Sequence, residues 1–298
     1  MTELARPPRI GVVFRPDFRP DTLMHSAKCV QRGADELWLW EDCFLQGGIA
    51  QAAVALAATD TLTVGLGVLP TPLRNVVSTA MEIATLATMF PGRIRVGVGH
   101  GVQSWMHQAG AAVSSPLTLL REYVSALRDL LAGRSVTVEG RYVRLDGVQL
   151  EWAPQAPVPV LIGGTGPKTL QLAGVIGDGV IVDSENTVDS ARAALDHVAA
   201  GRARRDDAGS FATVQYLACA PGPDGRRLLA EEAEKRDVPE DSYGVGGTVD
   251  EIAGAVAAYL GQPEHTVVLQ PVGPDVDMDA FATTVREVVA HIRATDGR

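Results

Sequence analysis

The sequence predicts a (β/α)8 barrel, and three observations predict it. Short runs rich in Val, Ile and Leu alternate with longer helical patterns from one end of the 298 residues to the other, without the polar alternation of a half-exposed sheet. Parallel strands covered on both faces read this way. The runs number eight, each with a helical stretch beside it, which is the count of this barrel. The first run is followed by Arg15-Pro16-Asp17, so the glycine fingerprint that a doubly wound open sheet places after its first strand is missing. Such barrels reach about 250 residues as one domain, and the whole chain, 1–298, is read as a single domain.

The strands are expected at Ile10–Phe14, Glu36–Asp42, Leu62–Leu69, Ile94–His100, Val158–Gly163, Gly179–Asp183, Thr213–Ala220 and Thr266–Val272. Helices are expected between and after them. Thr22–Gln31 ends at Gly33, a C-cap type residue; Ile49–Ala58 is Ala-rich; Val76–Met89 carries apolar residues at helical spacing before Pro91-Gly92. Leu117–Leu131 follows Ser114-Ser115-Pro116, placed as an N-cap and first-turn pair. Thr169–Val175, Ser190–Ala200, Asp250–Leu260 and Met278–Ile292 complete the set. One hairpin interrupts the beat after the fourth helix, where Ser135–Val138 and Tyr142–Leu145 flank Glu139-Gly140-Arg141. The stretches Ala220–Gly225 and Asp237–Gly247 read as loops or a mobile cover rather than a domain linker.

Composition excludes several classes. Hydrophobic residues at 46% and charged residues at 21% supply a core and rule out bulk disorder. Aromatics at 5% beside 31 glycines suit close helix–strand packing rather than an aromatic-rich sandwich. The net charge of −10 argues against nucleic acid, which needs a concentrated basic face. The one dense basic stretch, Arg202-Ala203-Arg204-Arg205, runs straight into Asp206 and Asp207 and reads as a solvated helix end. Cys29, Cys43 and Cys219 are odd in number and lack metal-site spacing, so neither a disulfide framework nor a metal centre is expected. Met1–Arg9 has no apolar core of a signal peptide, and no apolar run is long enough to span a membrane. A cytoplasmic protein with a small-molecule substrate is expected.

In a barrel of this kind the site lies at the carboxyl ends of the strands. That selects Phe14-Arg15, Glu41-Asp42-Cys43, Gly67-Val68-Leu69, His100-Gly101, Gly163–Gly166, Asp183-Ser184 and Gln270. In Leu161-Ile162-Gly163-Gly164-Thr165-Gly166-Pro167-Lys168-Thr169 a strand enters a glycine cluster that opens a helix. Backbone N–H groups there can approach an anion, the helix N-terminus adds positive potential, and Thr165 offers a hydroxyl, so phosphate binding is expected. Val96-Gly97-Val98-Gly99-His100-Gly101 removes side chains from one strand face and leaves room for a flat ring, unless the glycines serve core packing. His100 at this strand end is the candidate acid, base or donor. His107 is weaker, and His25, His197, His265 and His291 fall on helices or their flanks. Glu41 and Asp42 are adjacent in an expected strand, so only one of them should face the pocket. No nucleophilic role is expected for Cys43.

Several segments together resemble the bacterial luciferase-like superfamily, or luciferase-like monooxygenases. They are Glu36-Leu37-Trp38-Leu39-Trp40-Glu41-Asp42, Val64-Gly65-Leu66-Gly67-Val68, Pro91-Gly92-Arg93 through Gly101, Leu161 through Pro167, and Ala173-Gly174-Val175-Ile176-Gly177-Asp178-Gly179, in the family's order over nearly the whole chain. The resemblance implies a barrel that binds a flavin or the deazaflavin coenzyme F420. It implies that Gly67-Val68 forms a bulge, often with a cis peptide, behind the ring system. Gly163, Gly164, Thr165 and Gly166 would hold the cofactor phosphate, and Asp42, Gly99 and His100 would contact the cofactor. Cys43 and Val102 stand where sugar-phosphate-oxidising members carry His and Glu, which argues against that activity. The stretch His100 to Met106, followed by Ser115-Pro116-Leu117-Thr118, is similar to the methylenetetrahydromethanopterin-reductase-like branch, which favours F420.

The resemblance therefore implies hydride transfer between F420 and a small organic substrate, with Phe14, Arg15 and Trp105 in the substrate pocket. The alternatives are an FMN-dependent monooxygenase supplied with reduced flavin by a partner reductase, and a non-catalytic flavin-binding protein. Family members usually form homodimers or higher homo-oligomers, and the same is expected of this chain.

Overall fold

The computed structural model describes residues 9–206, 209–239, 243–260 and 265–296. The reading of Met1–Arg9 as free of a signal peptide falls, but for Arg9, outside the described residues.

The chain begins with strands β1 (Arg9–Val13), β2 (Glu36–Leu39), β3 (Thr63–Pro70) and β4 (Ile94–Gly99). The hairpin β5 (Val136–Glu139) and β6 (Arg144–Val148) follows, and then β7 (Val160–Gly163), β8 (Gly179–Val182), β9 (Ala212–Pro221), β10 (Val245–Gly247) and β11 (His265–Pro271). Among the described residues β1, β2, β3, β4, β7, β8, β9 and β11 form a closed parallel barrel. Its seam is made by β8 on β9 (Gly179 opposite Ala212) and by β11 on β1 (Thr266 opposite Arg9). Closure leaves no barrel edge except where β10 adds to β9.

The outer layer holds α1 (Leu23–Val30), α2 (Gly48–Ala58), α3 (Val76–Met89), α4 (Gln103–Gln108), α5 (Pro116–Leu131), α6 (Pro167–Ile176), α7 (Val188–Arg202), α8 (Gly225–Arg236), α9 (Val249–Tyr259) and α10 (Met278–Asp296). Three of their starts carry side-chain caps at the N-cap residue. Asn75 accepts from the Val77 N–H, Thr187 from Ser190, and Thr248 with Glu251 forms a capping box. Ser115 stands at the N-cap of α5 as expected, but its hydroxyl bonds Thr118 Oγ1 at 2.8 Å instead of a backbone N–H. Gly33 is not a left-handed cap. A Cβ there would lie 2.4 Å from Arg286 Cβ, so the glycine lets α10 approach the end of α1.

Two cores result. The larger lies between sheet and helices. The smaller fills the lumen with Val13, Trp38, Leu161, Ile181, Val214, Tyr216 and Val268. Gly11 and Gly65 on the flanking strands make room for the Trp38 indole, since a Cβ at Gly65 would come within 2.4 Å of it. At the amino end of the barrel Glu36, fully buried, pairs with Arg9 Nε at 2.8 Å and Arg95 at 3.3 Å and accepts from Trp38 Nε1 at 2.8 Å.

Three expectations need correction. Strand two ends at Leu39 rather than Asp42. The two stretches read as loops, 220–225 and 237–247, hold the end of β9, the first residue of α8 and the short strand Val245–Gly247 as well as turns, and the unexpected α8 lies between them. The end of α7 is more than a solvated terminus: Arg202 lies over the Phe211 ring and Arg205 donates to the Gly177 carbonyl at 2.6 Å, while Asp207 lies outside the described residues. No helix among the described residues is long and apolar enough to cross a membrane.

Candidate active site

A cavity of about 460 Å³ opens at the carboxyl ends of the strands, where this fold places its sites. One wall is built on Gly67 and Val68. The register of β3 on β4 slips between Leu66 and Leu69, and the Gly67–Val68 peptide is cis. The buried Tyr216 hydroxyl donates to the Gly67 carbonyl at 3.1 Å, and burial raises its pKa far above the ordinary phenol value. The Val68 side chain is received by two glycines. A Cβ would meet it at 3.0 Å from Gly99 and at 2.6 Å from Gly163. Gly97 does a different job: its Cβ would strike Ile181 Cδ1 and the Leu66 carbonyl, both at 2.4 Å. The strand-four glycines thus divide between barrel packing and the cavity wall.

Beside that wall β7 ends at Gly163, and Gly163, Gly164 and Thr165 all line the cavity ahead of α6. Gly166 stands one step further, at the N-cap of α6 and off the lining, and Lys168 points to solvent. A Cβ on Gly164 would lie 2.6 Å from Thr169 Cγ2, so the glycine allows the loop to fold onto the buried first turn.

His100 and Trp105 both line the cavity, Trp105 from α4. His100 Nδ1 is 3.1 Å from the Gly101 carbonyl. A carbonyl only accepts, so this bond puts a proton on Nδ1, and Nε2 is the acceptor of the neutral ring. His107 is off the lining.

The acidic residues differ from expectation. Because β2 stops at Leu39, strand alternation does not apply to Glu41 and Asp42, and both border the cavity. They are not equivalent. Glu41 is held by the Arg74 guanidinium and accepts from the Gly48 N–H at 2.8 Å. Asp42 accepts from Trp40 Nε1 at 2.9 Å, and burial pushes its carboxyl above the ordinary carboxylate range. Asp183, after β8, is raised for the same reason while accepting from the Glu185 N–H and Asn186 Nδ2. Arg236, from the end of α8, enters the same cavity and bridges Glu232 at 2.9 Å and Glu185 at 3.4 Å.

Two expected pocket residues lie elsewhere. Phe14 is fully buried, edge-on to Phe18 at 5.4 Å, because it continues the face of β1 that packs on the helices. Arg15 pairs with Asp17 and donates to the Pro271 and Gly273 carbonyls, tying the first βα loop to the last. Burial raises the Cys43 thiol pKa, with Glu41 and Asp42 adding to the shift, which leaves it a poor nucleophile. The lining residues not singled out as site candidates from sequence are Trp40, Pro70, Ile181, Glu185, Tyr216 and Arg236. Tyr216 sits mid-strand, where nothing marks it, and Arg236 ends a helix too polar to show an apolar stripe.

The family model for luciferase-like monooxygenases matches residues 23–236. A 5,10-methylenetetrahydromethanopterin reductase of Methanolobus tindarius is 31% identical over 199 residues, covering 66% of this chain and 60% of that protein. An F420-dependent glucose-6-phosphate dehydrogenase of Nakamurella multipartita is 35% identical over 162 residues, 51% of this chain and 46% of that one. The chain therefore spans less than two thirds of the length of these relatives. Among solved structures, an F420-dependent secondary alcohol dehydrogenase holding an F420–acetone adduct superposes with a TM-score of 0.81 over 94% of this chain and 99% of the other, at 22% identity, a likeness of fold. With its model matched over most of its length, and with a closed barrel whose carboxyl-end cavity is walled by the Gly67–Val68 bulge, this chain belongs to the luciferase-like monooxygenase family.

Proposed function

We propose that this chain is an oxidoreductase that moves a hydride between coenzyme F420 and a small organic substrate. The observation that carries the reading is one cavity lined both by the Val68 wall and by the adjoining Gly163–Thr165 loop at the start of α6. The F420-dependent relatives support the choice of cofactor.

The residues fit a flat ring joined to a phosphate. Glycine at 99 and 163 keeps the Val68 wall in place, and a Cβ on Gly166 would meet open space, so the backbone of the loop stays approachable. The loop N–H groups, the Thr165 hydroxyl and the positive end of α6 favour a phosphate. Trp40 and Trp105 supply apolar walls that exclude water, and Tyr216 fixes the bulge from below. When bound, F420 supplies the hydride acceptor or donor, and the protein supplies position and electrostatics. His100, with Nε2 free to accept, takes the proton of a substrate hydroxyl as that carbon is oxidised and returns it in the reverse direction. Asp42 and Asp183, both raised by burial, border the cavity beside Arg236. Cys43 and Val102, in place of His and Glu, argue against a sugar phosphate as the substrate.

Anaerobic titration with F420 and, separately, with FMN, followed by cofactor fluorescence, tests the reading. Micromolar or tighter F420 binding with FMN much weaker is expected. The opposite preference would place the chain among the flavin monooxygenases, and failure of both cofactors would leave it a non-catalytic relative.

A further inference from the structure

The sequence reading expects no metal centre, since the cysteines show no metal-site spacing. The fold nevertheless brings three ligand types together on the helical shell. His25 and Cys29 are one turn apart on α1 and share a face. Asp279, in the first turn of α10, meets them there, and the three ligand atoms all lie within 4.8 Å of one another. None of the three lines the active-site cavity.

We propose that His25, Cys29 and Asp279 form a site for a divalent zinc-class metal ion that staples α1 to α10. The contacts converge on one atom. His25 Nε2 is 2.8 Å from Asp279 Oδ2 and 3.7 Å from Cys29 Sγ. A Cys–His–Asp relay of the nucleophilic kind uses both ring nitrogens, one for the thiol and one for the carboxylate. Here the thiol and the carboxylate both face Nε2, as ligands do around a common centre. Atoms bonded at about 2.0–2.3 Å to a tetrahedral Zn2+ stand roughly 3.3–3.6 Å apart, so the observed spacings need only small adjustments to accept the ion.

The chemistry of the set agrees. An imidazole nitrogen, a thiolate sulfur and a carboxylate oxygen suit a borderline-soft ion such as Zn2+, with water in the fourth position. Cys29 is buried, with its Sγ against His25 Nε2 at 3.7 Å. Binding releases the thiol proton to solvent, and thiolate and carboxylate together neutralise the ion. Arg32 and Asp277, the other charged groups felt at this spot, oppose each other in sign. His25 and Asp279 are more than half exposed, so the ion has an entry path.

Co2+ titration of the full chain, stripped with chelator and kept reduced under nitrogen, reads the site directly. The expected result is one saturable site with a thiolate-to-cobalt charge-transfer band and tetrahedral d–d bands, displaced by Zn2+, and a Tm raised by Zn2+. Cys29 is buried and its replacement can unfold the protein, so the informative variants are His25→Gln and Asp279→Asn at exposed positions. Both should keep the wild-type fold and lose the band and the Tm rise, while Cys43→Ser keeps both. Absence of the charge-transfer band in the wild type, or its persistence in the two exposed variants, overturns the proposal.

Discussion

The two ends of the barrel treat a carboxylate in opposite ways. At the amino end Glu36 is fully buried and answered by Arg9, Arg95 and the Trp38 indole. At the carboxyl end Asp42 is half-buried, the Trp40 indole is its one side-chain hydrogen-bond donor among the described residues, and its pKa is raised. The amino end has neutralised its charge and closed over it. The other end pairs Glu41 with Arg74 but leaves Asp42 and Asp183 with raised pKa values around a cavity, and perturbed groups of that kind accumulate where a protein does chemistry. The same lumen thus carries a plug and a site, separated by the Trp38–Tyr216 layer, whose rings meet edge to face at 6.0 Å.

If this division holds, variants at the two ends should separate stability from activity. The largest effect is expected from His100→Ala, which should lower the rate of F420 reduction by about 10²–10⁴-fold, the usual range for a lost acid–base group, with the denaturation midpoint almost unchanged. Near-wild-type turnover in a steady-state assay would remove His100 from the chemistry. Glu36→Gln should do the reverse. It leaves two arginines facing a neutral amide and should cost about 3 kcal/mol in denaturant unfolding, while the folded protein still binds F420 normally. If cofactor affinity falls along with stability, the plug and the site are one unit. Thr165→Ala removes one hydroxyl from the exposed loop and should weaken F420 about tenfold, the value of one hydrogen bond to a charged group, without moving the Tm.

The plug and the site were not equally legible in the sequence. The eight barrel strands announce themselves because parallel strands bury both faces, and the hairpin carries its own turn residues, while the caps at Asn75, Thr187 and Thr248 are seen only in the structure. The Gly163–Thr165 loop is legible for the same reason, a glycine cluster between a strand and a helix. Arg236 was not, because α8 is written as Gly-Arg-Arg-Leu-Leu-Ala-Glu-Glu-Ala-Glu-Lys-Arg and buries little beyond Leu229 and Ala233. Its signal was charge spacing, realised as the Arg227–Glu231 and Glu232–Arg236 pairs four residues apart. The Asp42 environment was misjudged because a strand end was placed three residues late, and alternation says nothing once the chain has left the sheet. Phe14 was drawn toward the pocket by position alone. Which face of β1 it continues depends on register with β2 and β11, and register is a tertiary fact.

The smallest expected effect tests the comparison most closely. Burial holds the Asp42 carboxyl above the ordinary carboxylate range. The folded protein therefore takes up a proton at a pH where the unfolded chain has not, and folding is favoured most when both states are protonated. That contribution is complete below the unfolded value and is lost as pH rises through the folded one. At neutral pH the ionised carboxylate thus costs the cofactor-free protein some stability, partly offset by the Trp40 N–H. Asp42→Asn keeps an oxygen for the indole and carries no charge at any pH. It should melt slightly above the wild type at neutral pH, and the difference should vanish below about pH 4, where an ordinary carboxyl is protonated. The matched measurement is the Tm difference between variant and wild type, taken without cofactor across that range. A difference that is constant with pH, or a variant less stable at neutral pH, would show that the carboxyl-end acid is as well compensated as Glu36, and the contrast between the two ends would reduce to their shape.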